Sequence, residues 1–434
     1  MKSPASPRGV VDRSMRQVAI VLLFAGLVFS AATASADDIV LRWNEIAART
    51  ATATSPFNQA RVGVVVQLAV FEAVNAVTGD YEPYLDPATV APPGTSVEAA
   101  VITAAHKVLT TYFPAPATVA ALDAARDADL AAISAGPAKT AGIAVGMAAA
   151  NAMLALRATD GSAPLTAIIP APTQPGDYHL TTGCAASLFY NWKDVTPFGI
   201  ASASDFLLPP PIDLASNLYA KDYAEVQTVG AAASSDRPDD RTEVVRLYAA
   251  SSPSFVLMMA ARQVAAAKGT SLSENARALA LIQMAINDSL VASFMNKYHY
   301  NYWRPETGIR NGAADGNGKT EGDVSFATFI PTPCFPSYPS NHASGTNGGL
   351  EAMRRLFGAA GFAITITGTV PALGSLPPAV FTRHYTQLKE IADDVDDARV
   401  YGGIHWRHDQ IAGGALGRSI ATEVVKNNLR PVHP

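Results

Sequence analysis

Apolar residues recur three and four positions apart along several long stretches of the chain. In "NQARVGVVVQLAVFEAVNAV" (58–77), "SVEAAVITAAHKVLTTYF" (96–113) and "KTAGIAVGMAAANAMLALRATDG" (139–161) this spacing, with no internal proline, predicts three helices. The pattern then breaks. Residues 162–211 hold eight prolines and run into "LLPPPID", which predicts a long irregular connection covering a surface or a site. Helical spacing returns near Glu243 and is clearest over residues 273–298, with Ser273 as the expected N-cap and Glu274 in the first turn. The Gly/Asn/Asp-rich "RNGAADGNGKTEGD" (310–323) predicts a loop, and further helices are expected from near Ser340, over 385–401 and over 408–425. Strand-like alternation is scarce, "FAITITGTV" (362–370) being the main instance, and no repeat of fixed period is present. The expected fold is all-α: two packed helical bundles, residues 37–215 and 216–434, joined by the Pro-rich segment, with any anion site in the second.

The N-terminus stands apart from this pattern. Arg8, Arg13 and Arg16 precede the apolar run 18–29, and small residues follow at Ala34 and Ala36. That order of basic, apolar and small residues predicts a signal peptide over 1–36, and hence a secreted or periplasmic protein. The run is shorter than the roughly 20 residues a spanning helix needs. No later stretch is expected to span a membrane, so no membrane insertion is expected after signal removal. Setting residues 1–36 aside removes four basic residues and one acidic one, moving the formal charge from −5 to −8. An acidic chain argues against nucleic acid as a partner but leaves room for a local cationic pocket. Cys184 and Cys334 are the two cysteines. Export permits a disulfide between them, two separate buried thiols are the other reading, and the sequence does not measure their distance.

Three stretches carry charge in an organised way. "KYHYNYWRP" (297–305) sets Lys297 and Arg304 at the ends of a run holding four aromatic residues. "PSYPSNHASGTNGG" (336–349) places Ser340, Asn341 and His342 at an expected helix start, and "ARVYGGIHWRHD" (398–409) carries Arg399, His405 and Asp409. Singly, each has a structural explanation in dipole complementation or capping. Jointly they make an inventory for a phosphate-like oxyanion: three cations, a hydroxyl and the N–H groups of a helix N-terminus. One imidazole could attack or coordinate the central atom while the other moves a proton. Asp409, four residues after His405, could orient that ring.

These stretches resemble the signature of the vanadium haloperoxidase and type 2 phosphatidic acid phosphatase superfamily, K-x6-R-P, then P-S-G-H, then S-R-x5-H-x3-D, read here at Lys297–Pro305, Pro339–His342 and Ala398–Asp409. The similarity is greatest to the soluble chloroperoxidase-like branch and its exported bacterial relatives, and also covers "MAINDSLVASFMNKYHYNYWRPETGIR" and "NWKDVTPFGIASASDFLLPPP". The resemblance implies that Lys297, Arg304, Ser340, Asn341 and Arg399 bind the oxygens of vanadate or phosphate. It implies that His405 is the vanadium ligand of a peroxidase or the phosphorylated residue of a phosphatase, with His342 as acid–base and Asp409 as its third catalytic position. Phe335 matches the aromatic position of the chloroperoxidases, where algal bromoperoxidases have histidine, and Phe294 falls where a tryptophan lines the halide pocket. Asn341 stands where the signature has glycine, and Ala398 where it has serine. The carboxylate that pairs with the second arginine has no clear match, with Asp236, Asp239 and Asp240 as candidates. The implied activity is halide oxidation by hydrogen peroxide at a His-bound vanadate. The alternative is phosphomonoester hydrolysis through a phosphohistidine; a protein that merely binds an anion would have no use for both histidines.

Overall fold

The computed structural model describes residues 38–432; the expected signal peptide at 1–36 lies outside them. Each early helix begins on a residue suited to its free N–H groups. α1 (Ile39–Ala51) starts at Asp38, whose carboxylate accepts from the amides of Val40 (2.7 Å) and Leu41. α2 (Pro56–Thr78) and α3 (Val97–Tyr112) are capped by the hydroxyls of Ser55 and Ser96. α4 (Pro116–Ala131) and α5 (Pro137–Leu156) open with proline, whose missing N–H is harmless in a first turn. α2 and α3 lie where the apolar spacing predicts them, and α5 ends five residues before the expected Gly161. α1 and α4 escaped the pattern; α4 buries only Leu122 and so has almost no apolar stripe.

An irregular segment follows, then α6 (Asn217–Val229), α7 (Asp239–Ala250), α8 (Pro253–Lys268) and α9 (Leu272–Tyr300). α9 is buried on all sides and is the axis of the fold. Its N-cap is Ser271 rather than the expected Ser273. A capping box needs the acid three residues on, and Glu274 accepts the Ser271 amide (2.7 Å) while the Ser271 hydroxyl accepts the Glu274 amide. Polar side chains of α9 hold the irregular segment. Asp288 accepts the amides of Phe198, Gly199 and Ile200 (2.8, 2.6 and 3.2 Å), and Asn296 bonds to Leu208 and Phe206. A loop with few backbone partners of its own is thereby fixed.

α2, α5 and α9 are in fact long and apolar enough to cross a bilayer, which corrects the expectation that no such stretch follows the leader. The apolar windows of α2 and α9 are 83% and 94% buried. Their uniform hydrophobicity reflects enclosure by other helices.

The last third contains α10 (Pro305–Arg310), α11 (Asn341–Phe357), a two-stranded antiparallel sheet of β1 (Ala360–Val370) and β2 (Ala379–Gln387), α12 (Leu388–Val400) and α13 (Arg407–Asn427). The helix expected from Tyr385 starts at Leu388. Residues up to Gln387 pair with β1, Tyr385 opposite Ile364, and Glu390 accepts the amides of Thr386 and Gln387 to begin the helix. α9, α11 and α13 pack on one another. α11 and α13 approach so closely that a Cβ on Gly413 would lie 2.5 Å from the Ser340 carbonyl, and one on Gly417 would lie 2.1 Å from that of Ser344. This contact sets the N-termini of both helices side by side. The main apolar core draws side chains from α1 through to α13, with a second cluster around α6 and α10, and the regular structure among the described residues is helical apart from the small sheet.

Cys184 and Cys334 form a disulfide linking the irregular segment to the loop before α11 across 150 residues of sequence. Next to it the Leu188 amide donates to the Cys334 carbonyl (2.7 Å). Cross-linking so long a loop restricts the unfolded chain by about 3–5 kcal/mol in the chain-entropy view. Cys184→Ser should therefore lower the urea midpoint, and reductant should do the same to the wild type but nothing further to the variant. Coincident urea curves for wild type with and without reductant would refute the stabilising role.

Candidate active site

The two helix N-termini define the site. Ser340 caps α11, so the N–H groups of Asn341 and His342 have no acceptor within the helix. The Ser340 amide donates to the carbonyl of Asp409 in the first turn of α13 (3.0 Å), which locks the two starts together. His405 lies just before α13. Its Nδ1 is 2.8 Å from Asp409 Oδ2, and that same oxygen accepts from the Ser337 hydroxyl (2.6 Å) and the Trp406 amide (3.2 Å). With Nδ1 donating to the carboxylate, Nε2 carries a lone pair, and Arg304 Nη1 stands 2.9 Å from it.

The cations come from three elements and are fixed by backbone carbonyls. Lys297, near the end of α9, donates to the carbonyls of Pro336 (2.9 Å) and Ser337 (2.6 Å). Arg304, capping α10, donates through Nε to Phe335 and through Nη1 to Ile404. Arg399, in the last turn of α12, donates to the Tyr248 carbonyl (3.3 Å). Arg304 Nη2 and Arg399 Nε are buried and have no hydrogen-bond partner among the described residues. The Phe335 ring lies between the first two cations, its centre 5.4 Å from Lys297 Nζ and 5.1 Å from Arg304 Cζ. Both cations of "KYHYNYWRP" thus meet an aromatic face, that of Phe335 rather than one of the motif's own rings.

A cavity of about 380 Å³ opens over this floor, with Asn341, His342, Arg399 and His405 below and Phe57, Phe189, Leu290, Pro331 and Phe335 among its walls. Burial, then mutual repulsion, weakens the bases inside. The Arg304 guanidinium is lowered to about 10 by burial, and Arg399 to about 9 by burial and by Arg304. Lys297 falls well below its usual range for the same two reasons. His342 and His405 are held well below the ordinary imidazole value by burial and by the surrounding cations, so both are neutral near pH 7. Such a floor can accept an anion, coordinate or attack through one imidazole, and hold a proton on the other.

The structure brings together Lys297, Arg304, Ser340, Asn341, His342, Arg399, His405 and Asp409. Phe335 lines the cavity, whereas Phe294 sits one ring behind, 4.8 Å from Phe57 and 5.2 Å from Phe335. Asp236, Asp239 and Asp240 are excluded as partners of the second arginine. All three are exposed, Asp240 pairs with Arg241, and among the described residues no carboxylate lies within ion-pair distance of Arg399. Sequence reasoning missed Ser337, Phe57 and Phe189. Phe57 and Phe189 come from the start of α2 and from the irregular segment, where no motif marks them. Phe189 adopts a left-handed backbone (φ 59°), unusual for a bulky residue and found here at the cavity wall.

Residues 277–434 match the family described as the VCPO second helical-bundle domain. A vanadium chloroperoxidase of Curvularia inaequalis is 25% identical over 176 residues, a match spanning 32% of this chain and 28% of that protein. Over its length the chain superposes on a bacterial vanadium-dependent iodoperoxidase with a TM-score of 0.71 at 20% identity, covering 92% of this chain and 97% of the other. A holo-type bacterial vanadium-dependent chloroperoxidase gives 0.70 at 16% identity, covering 87% and 93%. The fold is that of the vanadium haloperoxidases. Those relatives are enzymes, and the match in the second bundle contains all three charged motifs.

The neutral histidines give this vanadium haloperoxidase fold a pH signature. Their folded pKa values lie below the unfolded value of 6.5, so between the two the unfolded chain binds more protons. The stability they contribute is complete above about 6.5 and is lost as pH falls towards the folded values. The melting temperature of anion-free protein should drop between pH 7 and pH 5, and His342→Ala should flatten that drop. Parallel profiles for wild type and variant would show that His342 is not held neutral.

Proposed function

We propose that this chain is a vanadium-dependent haloperoxidase, oxidising halide with hydrogen peroxide while vanadate is held at His405. The observation that carries this reading is the pair of buried guanidinium nitrogens, Arg304 Nη2 and Arg399 Nε, that have no hydrogen-bond partner among the described residues; Arg304 reaches His405 through its other nitrogen, Nη1, and Arg399 lines the same cavity as His405. A buried cation with no counter-charge is costly, and a tetrahedral oxyanion supplies both the charge and the acceptors. The donor set fits vanadate: Lys297, Arg304 and Arg399 for its charge, Ser340 and the α11 N-terminus for its oxygens, and His405 Nε2 as the ligand. When bound, vanadate supplies a Lewis-acidic centre that activates hydrogen peroxide for a two-electron oxidation of halide.

The remaining chemistry belongs to the protein. Asp409 fixes the proton on His405 Nδ1 and so leaves Nε2 bare. His342, neutral and facing the cavity, takes or returns a proton. The ring of Phe335, with Phe57 and Phe189, keeps water from the floor and strengthens every charged contact there. The aromatic wall favours halide chemistry, because a phosphomonoester has a polar leaving group to solvate. The chain's place outside the cell, secreted or periplasmic, follows in this reading from the leader at 1–36.

A paired assay tests the proposal. Purified mature protein is given vanadate, peroxide and bromide with a halogen acceptor, and separately a phosphomonoester without vanadate. Halogenation that depends on vanadate is expected. Phosphomonoester cleavage that vanadate inhibits, without halogenation, would make the protein a phosphatase instead. Within the peroxidase reading, His405→Ala should abolish turnover, and Arg304→Lys should weaken vanadate binding by about tenfold, since a fork of donors becomes a point charge. Vanadate affinity unchanged in Arg304→Lys would remove Arg304 from the site.

A further inference from the structure

A second buried carboxylate and a third histidine stand behind the site. His408 is the second residue of α13, and its ring packs against Tyr302 and Tyr338, at 5.6 and 5.9 Å. Its amide and its Nδ1 both reach Asp222 Oδ2 on α6, each at 2.8 Å. Asp222 is 2% exposed, and among the described residues no lysine or arginine lies within ion-pair distance of it. The other ring nitrogen of His408, Nε2, lies 3.4 Å from Asp409 Oδ1, within ion-pair range. Both atoms are buried, and among the described residues neither has a hydrogen-bond partner. Among the described residues Asp409 too has no lysine or arginine within that distance; the ring nitrogens of His405 and His408 are its neighbours instead.

The four groups form one buried line, Asp222, His408, Asp409 and His405, ending at the nitrogen that faces the cavity. We propose that His408 and Asp222 are positioning residues for the anion site: Asp222 fixes the His408 ring, and His408 in turn holds the far oxygen of the carboxylate that orients His405. The physical reason lies in the two oxygens of Asp409. Oδ2 is shared by His405, Ser337 and the Trp406 amide, whereas Oδ1 has no hydrogen-bond partner among the described residues and lies in ion-pair range of His408 Nε2. A carboxylate anchored on one oxygen can swing about it, and a His408 ring with a proton on each nitrogen, one shared with Asp222 and one facing Oδ1, opposes that swing. Removing the donor leaves Oδ1 buried without compensation, which favours rotation or protonation of Asp409 and loosens the proton on His405 Nδ1. This inference rests on the reading of His405 as the group that meets the anion.

The experiment measures anion binding and tautomer in the vanadate-free protein. Orthovanadate is titrated calorimetrically into wild type, H408F, H408Q, D222N and H405A, and the histidine ring nitrogens are followed by ¹⁵N NMR, with H405A assigning the His405 signals. H408F should bind vanadate at least about tenfold more weakly, as the loss of a supporting partner typically does. His405 should move from a single Nδ1–H tautomer to a mixture, and H408Q, which keeps one donor, should fall between. D222N should shift both readouts the same way, and it serves as the test if H408F does not fold. Wild-type affinity and an unchanged His405 tautomer in the folded variants would overturn the proposal. If H405A itself binds vanadate like wild type, the site assignment fails rather than the positioning role.

Discussion

Charge imbalance governs this molecule. Three cations, Lys297, Arg304 and Arg399, are buried around one carboxylate, Asp409, which is already engaged by His405, Ser337 and the Trp406 amide. Two unit charges 4 Å apart repel by about 4 kcal/mol at an effective dielectric of 20. Contact with the face of an aromatic ring returns about 1–2 kcal/mol, so Phe335 offsets part of the cost and no more. Carbonyls satisfy several of the N–H groups but carry no net charge. Loss of protons is the remaining internal remedy, and the weakening of all three bases expresses it. The oxyanion of the proposed function would resolve the conflict from outside, and its charge would restore the very protons that burial strips away.

The architecture follows from that demand. An oxyanion site needs fixed donors, and each cation here is tied down by backbone carbonyls with no anion bound. The ties run to the irregular stretches themselves, with Lys297 holding Pro336 and Ser337 and Arg304 holding Phe335 and Ile404. The cations thus order the loops that form the floor, while α9, α11 and α13 order the cations. Gly413 and Gly417 let α11 and α13 touch, and only that contact brings Ser340 within hydrogen-bonding distance of the Asp409 carbonyl. Two helix N-termini then add their partial positive charge to the same point.

The legible part of this was local. Lys297, Arg304, Ser340, His342, Arg399, His405 and Asp409 could be read because fixed spacing on helix ends determines which of them share a face, and the long apolar helices could be read because burial on one side leaves a period. What failed has a physical cause in each case. α4 sits on the surface with one buried residue, so it left no stripe. Ser273 looked like a cap because it is a serine ahead of Glu274 at the start of the helical run, yet the box depends on Glu274 lying three residues after Ser271. Tyr385 to Gln387 read as helix because strand pairing with Ile364 is a long-range fact. Phe57 and Phe189 lie 132 residues apart and meet only through tertiary folding, and the Cys184–Cys334 bond was open for the same reason.

Those non-local residues bear on the choice between chemistries. Vanadate and phosphate present the same charge and shape to Lys297, Arg304 and Arg399, so the cationic floor suits either. Discrimination must come from what surrounds the floor, and here the surroundings are built by distant parts of the chain. α2 contributes Phe57, and the irregular segment, pinned by Asp288, Asn296 and the disulfide, contributes Phe189. These rings close with Phe294 and Phe335 into one cluster whose neighbouring centroids lie between 4.6 and 6.4 Å apart. A wall of this kind lowers the local dielectric, favouring a poorly hydrated halide over a phosphoester oxygen that needs hydrogen bonds. In the proposed function the N-terminal half, which supplies none of the charged motifs, would act through solvation, setting how dry a bound anion is kept.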